Sequence, residues 1–386
     1  YNNAIRFTPG DVANAIRIGF DGTNAYSGNI LIQGDSILQR NNLSSTGSIS
    51  VQSMGTLTFQ SSGNTFTHLR AGNSGGLRFD NDWNFGTSLT GFTIGKSTNT
   101  AEIILDNALS VAGPVSITAG NIYLIKGITS TAAGAAITLK SASRIETEPS
   151  LTFQTNNGNI TFWTDSDGVA NANGDYIGLQ SGVVLNSANG LTNQTTGGGR
   201  ITLAGGTATD TDGLPTGYAF SNRTTAWGSL APSGVQLGAW VWNANGTTYA
   251  NDIKMYSGGG DITIKGKTGN TAPGISWYSG ASGSQVINAG SGLITLDGQS
   301  STSHGIELNY YGSTVSPVLQ SSSNATTAIS ITGIDAITAS PSPSIVVGTS
   351  RQPRTSRPSA RNSSSSTAFC AAAFTGSGFT NTMPGA

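Results

Sequence analysis

One short phrase returns from end to end of this chain: a Gly or small residue, sometimes a polar spacer, then apolar, polar, apolar. Clear copies are Ile30-Leu31-Ile32, Ile49-Ser50-Val51, Leu57-Thr58-Phe59, Val115-Ser116-Ile117, Ile122-Tyr123-Leu124, Ile137-Thr138-Leu139 and Leu151-Thr152-Phe153. It continues through Ile160-Thr161-Phe162, Ile201-Thr202-Leu203, Ile262-Thr263-Ile264, Ile294-Thr295-Leu296 and Ile329-Ser330-Ile331. The alternation has the two-residue period of a strand. Each copy is too short for a hairpin sandwich, whose strands usually run about five or six residues between tight turns. Stacking solves the difficulty: if the chain coils, each triplet pairs with triplets above and below, and Ile and Leu share one interior. The expected fold is therefore all-β, a single elongated parallel β-helix (β-solenoid), with Thr or Ser nearly always pointing outward. Gly and Asn at the corners supply the left-handed backbone that tight bends need. From Ile262 to Ile294 is 32 positions (294 − 262) and from Ile275 to Ile306 is 31 (306 − 275), an interval that suits a coil of two or three short strands.

Composition supports a long, thin body. Of 386 residues only 10% are charged and 36% hydrophobic, while Gly contributes 53, against about a quarter charged in an ordinary soluble chain. Hydroxyls and amides must keep such a chain in water, and short apolar runs fill a narrow core. A formal net charge of −1 argues against a nucleic-acid partner, which calls for a concentrated basic face. The single Cys370 excludes a disulfide framework or a thiolate metal cluster. No stretch reaches the roughly 18 consecutive apolar residues of a membrane helix, so membrane insertion is not expected. The sequence opens at Tyr1 with no initiator Met or signal peptide and is read as a mature or excised fragment.

Residues 1–348 read as the solenoid, with loop excursions near 205–262 that hold Trp227, Trp240, Trp242 and Tyr249. Residues 349–386 differ. Arg351, Arg354, Arg357 and Arg361 sit among Pro and Ser, a composition typical of a linker or basic arm, and any ordering is expected to come from a neighbour meeting Phe369, Phe374 and Phe379.

The phrases GNITFWTDSDG at 158–168, GGRITLAGG at 198–206, GDITIKGK at 260–267 and GLITLDGQSS at 292–301 resemble the filamentous-haemagglutinin-type β-helical adhesins exported by bacteria, and the resemblance covers roughly residues 10–340. It implies a right-handed helix, a secreted, extracellular or bacterial cell-surface location, and a role in attachment.

Several residues invite chemistry. Asp165, Asp167 and Asp175, with Asn171 and Asn173, gather oxygen ligands suited to calcium; an Asx-turn loop needs the same residues without a metal. Asp210 and Asp212 repeat the pattern more sparsely. Trp163, Trp240 and Trp242, with Trp277, Tyr278, Tyr310 and Tyr311, offer flat faces to glycans or rings to the core. Trp163 is expected outward and exposed, because Phe162 beside it points in. Asp80 and Asp82 beside Trp83 form the pair nearest to a polysaccharide-cleaving site, against the plainer reading of a polar corner, and neither His68 nor His304 sits in a nucleophile motif. Thr138, Thr152, Thr161, Thr202, Thr263 and Thr295 suggest a hydroxyl ladder, without the Thr-x-Thr pairs of an ice-binding lattice. The expected function is non-enzymatic: a secreted or surface β-solenoid for attachment. A subunit of a head-to-tail filament is the second reading and a polysaccharide-acting enzyme the third. Expected partners are further copies of itself and host or matrix glycans, with no cofactor beyond calcium.

Overall fold

The computed structural model describes residues 4–7, 16–21, 23–39, 48–67, 76–79, 83–171, 174–223, 233–239, 252–279, 285–310, 318–333, 346–348 and 373–374. Among them every regular element is a strand, and no helix is long and apolar enough to cross a membrane. Three large sheets dominate. Face one holds eight strands from Gly76–Phe79 to Ile306–Tyr310, and face two holds eight from Leu109–Val111 to Val346–Gly348. Face three runs through eleven strands in order from Ile30–Gln33 to Ala373–Phe374. Smaller sheets pair Ala4–Phe7 with Ser36–Gln39, and Ile16–Ile18 with Ile49–Val51 and Trp83–Phe85.

The chain visits the faces in rotation. Glu102–Leu105, Leu109–Val111 and Val115–Ala119 lie on faces one, two and three, and the next strand, Asn121–Leu124, returns to face one beside Glu102–Leu105. Parallel pairing between strands three apart is consistent with a β-helix. The expected intervals appear as register: Ile262 pairs with Ile294, and Ile275 with Ile306. At about 4.8 Å per strand, the eleven strands of face three span roughly 50 Å.

Two inward columns on face three form the spine of the core. One climbs through Leu57, Phe92, Val115, Ile137, Ile160, Ile201, Ile262, Ile294 and Ile329; the other starts at Phe59 and ends at Ile331, and both are buried throughout. Between them lies one hydroxyl per rung on the opposite side: Thr58, Thr93, Ser116, Thr138, Thr161, Thr202, Thr263, Thr295 and Ser330. Five of the six expected Thr therefore do stack, while Thr152 belongs to face two, opposite Val184. The rule of outward hydroxyls is a rule of face three only. On face one the same register column carries Arg78, Ile104, Tyr123 and Glu146.

The corner leading into face three explains why a Gly so often precedes the triplet. Gly199 lies on Gly158, Gly260 on Gly199 and Gly292 on Gly260, so close that a Cβ at the upper residue would overlap the carbonyl oxygen of the lower. A buried hydroxyl then donates to each of these carbonyls: Thr155 to Gly158, Ser187 to Gly199 (2.7 Å), Ser257 to Gly260 and Ser321 to Gly292 (2.7 Å). Since Ser187 is fully buried, water does not replace its hydroxyl. Ser187→Ala is expected to lower unfolding free energy by about 1–3 kcal/mol, the cost of an unpaired buried carbonyl. Urea titration measures it, and a loss under about 0.5 kcal/mol would mean the carbonyl finds another donor. Left-handed Asn157 (φ 63°) and Asn189 (φ 53°) turn the chain at corners, as expected for Asn.

Near the N-terminal end the core becomes aromatic. Phe59 meets Phe79 at 4.7 Å between ring centroids, Trp83 at 5.4 Å, Phe92 at 6.0 Å and Phe85 at 6.2 Å, mostly edge to face. Trp83 is thus a core residue rather than a sugar platform.

The stretch expected to hold loop excursions contains regular strands. Ile201–Thr209 runs past its neighbours and folds back on Pro215–Gly217, the antiparallel partner, and Ala219–Ser221 then pairs in parallel with Ile262–Thr268. Val235–Ala239 and Lys254–Tyr256 rejoin faces one and two. From the tail, Ala373–Phe374 continues face three beside Ser330 and Ile331. Phe369 and Phe379 lie outside the described residues.

Candidate functional site

The strand Ile160–Thr164 alternates Ile160, Phe162 and Thr164 inward with Thr161 and Trp163 outward. Asp165 follows in the left-handed region (φ 51°), and Ser166 donates its N–H to the Ser141 carbonyl at 3.1 Å, which ties the turn to the rung beneath. Asp175 re-enters the body fully buried, its N–H on the Phe220 carbonyl at 2.8 Å. Asn171 donates from its backbone to Asp175 Oδ2 (3.0 Å) and from Nδ2 to Oδ1 (2.6 Å). Asp167 stays exposed, accepting from the N–H of Val169 at 3.1 Å as an Asx turn. Asp175 thus lies in the interior, Asp165 is half-buried with its Oδ1 shielded, and Asp167 faces water. No group of three or more His, Cys, Asp or Glu is set to hold a metal among the described residues, so the expected three-carboxylate calcium set is not assembled. Asn173 lies outside them.

Burial, then the charges of Asp175 and Asp167, push the Asp165 carboxyl up to about 6. Burial also raises Asp175, against the bonds from Asn171 that lower it. Because the Asp165 folded value stands above the unfolded one, its contribution to stability is fully present below about pH 4 and is lost as pH rises through about 6. In metal-free buffer at pH 7.5, Asp165→Asn is therefore expected to gain on the order of 1 kcal/mol after allowance for solvent screening, and the gain should vanish in acid. Chemical denaturation at several pH values checks this. A pH-independent difference would assign the effect to packing.

Trp163 departs from expectation in exposure, not direction. It points outward but is only 8% exposed, with Nε1 donating to the Gly206 carbonyl at 2.7 Å and Lys140 Nζ 4.0 Å from the ring centre. Its cover comes from the overrunning strand Ile201–Thr209. Trp277 is likewise interior, its Nε1 on Gln285 Oε1. Trp227, Trp240, Trp242, Tyr249, Tyr311, Asp80, Asp82 and His68 lie outside the described residues, as do the side chains of Tyr278 and Tyr310; His304 lies at a corner, its carbonyl accepting the Gly274 N–H at 3.1 Å. The second acidic pair is already engaged by one cation: Arg200 Nη1 reaches Asp210 Oδ2 at 3.2 Å and Asp212 Oδ2 at 2.7 Å, and Asp210 Oδ1 accepts the N–H groups of Asp212 and Leu214 at 2.9 Å each. The Asx-turn reading holds there.

Sequence reading missed a polar network on face one. Arg144 Nε binds Glu146 at 3.1 Å, and its Nη2 lies 3.9 Å from Glu102; Arg78 pairs with Asp106. The hydroxyl of Tyr123 donates to Glu148 and that of Tyr176 to Glu146. Burial and these carboxylates hold both phenols above their ordinary range. The signal was present in the middle residues of the face-one triplets, Arg78, Tyr123 and Glu146, where face three carries hydroxyls. Two clefts of the described surface are lined by Thr90, Pro114 and Ala132–Ala136 in one case, and by Lys126, Pro149 and Leu151 among others in the second; neither lining includes an acid or a histidine.

Comparison with protein-family models, with curated proteins and with solved structures gives no match to this chain.

Proposed function

We propose that the chain is a closed, right-handed β-solenoid of the filamentous-haemagglutinin type, secreted or held at a cell surface, where it serves attachment without catalysis. The carrying observation is the hydroxyl column of face three, nine consecutive Thr or Ser on a backbone whose inner side is apolar at every step, with only Thr161 and Thr202 of the nine buried. The two partly exposed runs, Thr58 to Thr138 and Thr263 to Ser330, repeat hydroxyls at about 4.8 Å on a stiff strip and present donors and acceptors in register to a polyhydroxylated surface such as a host or matrix glycan. Thr-to-Val replacement keeps β-branching while deleting the hydroxyl. A glycan array probed with the purified chain, and with Thr138, Thr263 and Thr295 replaced by Val, tests this. Binding by the parent and its loss in the variant is expected; no binding, or binding indifferent to the hydroxyls, sinks the reading. Sustained turnover of a polysaccharide would defeat the non-enzymatic part.

A second reading, the head-to-tail filament subunit, is favoured by the first strand of face three. Ile30–Gln33 has one strand partner among the described residues, and its Leu31 is 58% exposed, with exposed Tyr26 and Met54 in the same N-terminal rungs. An open strand edge beside apolar side chains is a template for another copy. Electron microscopy is expected to show filaments that Leu31→Lys disperses, and monodisperse particles at high concentration would remove it.

A further inference from the structure

Fully buried Asp175 and half-buried Asp165 lack a cation among the described residues. Arg78 holds Asp106, Arg144 holds Glu146, and Arg200 holds Asp210 and Asp212, whereas Asp165 and Asp175 enter no ion pair among the described residues. Basic groups of the adjoining rungs are engaged elsewhere: Lys140 over the Trp163 ring, Arg144 with Glu146, and Arg223, whose side chain passes Gly174, at 3.4 Å from the Tyr176 hydroxyl.

Around the same corner, three buried oxygens have no hydrogen-bond partner: Thr164 Oγ1, Asp165 Oδ1 and Ser221 Oγ. Thr164 and Ser221 are fully buried residues, so water does not reach them from the surface. Their placement is local. Thr164 turns inward immediately before Asp165, and the strand Ala219–Ser221 lies against Ile160–Thr164. Phe220 bridges to Asp175 through the backbone, and Ser221 Oγ comes within 3.3 Å of where a Cβ on Gly174 would stand. Oxygens without donors, beside carboxylates without cations, constitute an incomplete site.

We propose that this corner binds a hard cation of the calcium class through the carboxylates of Asp165 and Asp175, with the hydroxyls of Thr164 and Ser221 as neutral oxygen donors and with Asp167 taking no part. Calcium accepts six to eight oxygens in flexible geometry, and backbone carbonyls and water complete such a shell. The bonds from Asn171 and the Ser143 hydroxyl fix the orientation of Asp175 and still leave it lone pairs, as outer partners of metal ligands do. The ion would fasten the turn after Ile160–Thr164 to the rung that carries Ser221. This site stands apart from the surface reading, and either fails without the other.

Terbium tests it on the full chain, because Trp163 adjoins Thr164 and its excitation transfers to a lanthanide bound nearby. Saturable sensitised emission, displaced by calcium, is expected. Asp165→Asn and Asp175→Asn should each weaken terbium binding more than about tenfold, Ser221→Ala about tenfold, and Asp167→Asn less than about twofold. Asn tolerates the left-handed backbone at 165, and far-ultraviolet circular dichroism verifies that strand content is kept. Absence of saturable emission overturns the proposal. So does loss in Asp167→Asn with retention in Asp165→Asn, which would move the ion to the outer loop, and so does an unchanged Ser221→Ala.

Discussion

Phe59→Ala is expected to remove about 3–5 kcal/mol from the stability of the N-terminal rungs. The ring is fully buried and touches four other aromatic rings from three neighbouring strands, so its deletion leaves a cavity whose walls are too large to collapse inward. The more informative part is where the loss falls. In a stack whose units touch only their neighbours, stability is a sum of local terms, and damage decays along the axis. Hydrogen exchange of the variant should lose protection from Ile49–Val51 through Gly91–Ile94 while Ile262–Thr268 and Ile294–Ser300 keep theirs. Uniform loss across all strands would mean that the body unfolds as one cooperative unit.

Gly199→Ala is expected to cost about 3 kcal/mol, at the upper end for overpacking. The added methyl would meet the Gly158 carbonyl, and backbone in the middle of a ladder cannot swing aside as a side chain can. Gly213→Ala is the control: its φ is 77° with open space around it, so it carries the left-handed strain alone, about 1 kcal/mol. Comparing the two by urea unfolding separates crowding from conformation. Equal costs would show that the rungs yield, and the close stacking of glycines would lose its importance.

Much of the fold was legible because a triplet such as Ile262-Thr263-Ile264 states both its strand and its inward side, and the 32-residue step to Ile294 is its register. Strands with a single core residue were not legible. Leu185 in Val184–Asn186 and Met255 in Lys254–Tyr256 are fully buried, yet one apolar residue makes no period, and only the strands stacked beside them define their inside. At the candidate site the direction of Trp163 followed from alternation, whereas its cover is supplied by a strand about forty residues on in sequence. For the acids the same distance effect applies. Asp165, Asp167 and Asp175 look alike in a row; what separates them is that Phe220 and Ser221 arrive against Asp175, which spacing along the chain does not disclose.

The register of face three passes from Ile160 to Ile201 to Ile262 as cleanly as from Val115 to Ile137, although the detours between partners differ by up to about threefold in length. Growth at a bend therefore leaves the lattice beneath it untouched. A lineage of such chains is free to lengthen by duplicating a turn, or to graft a new appendage at the bend near Gly205, and neither change requires the interior to be invented again.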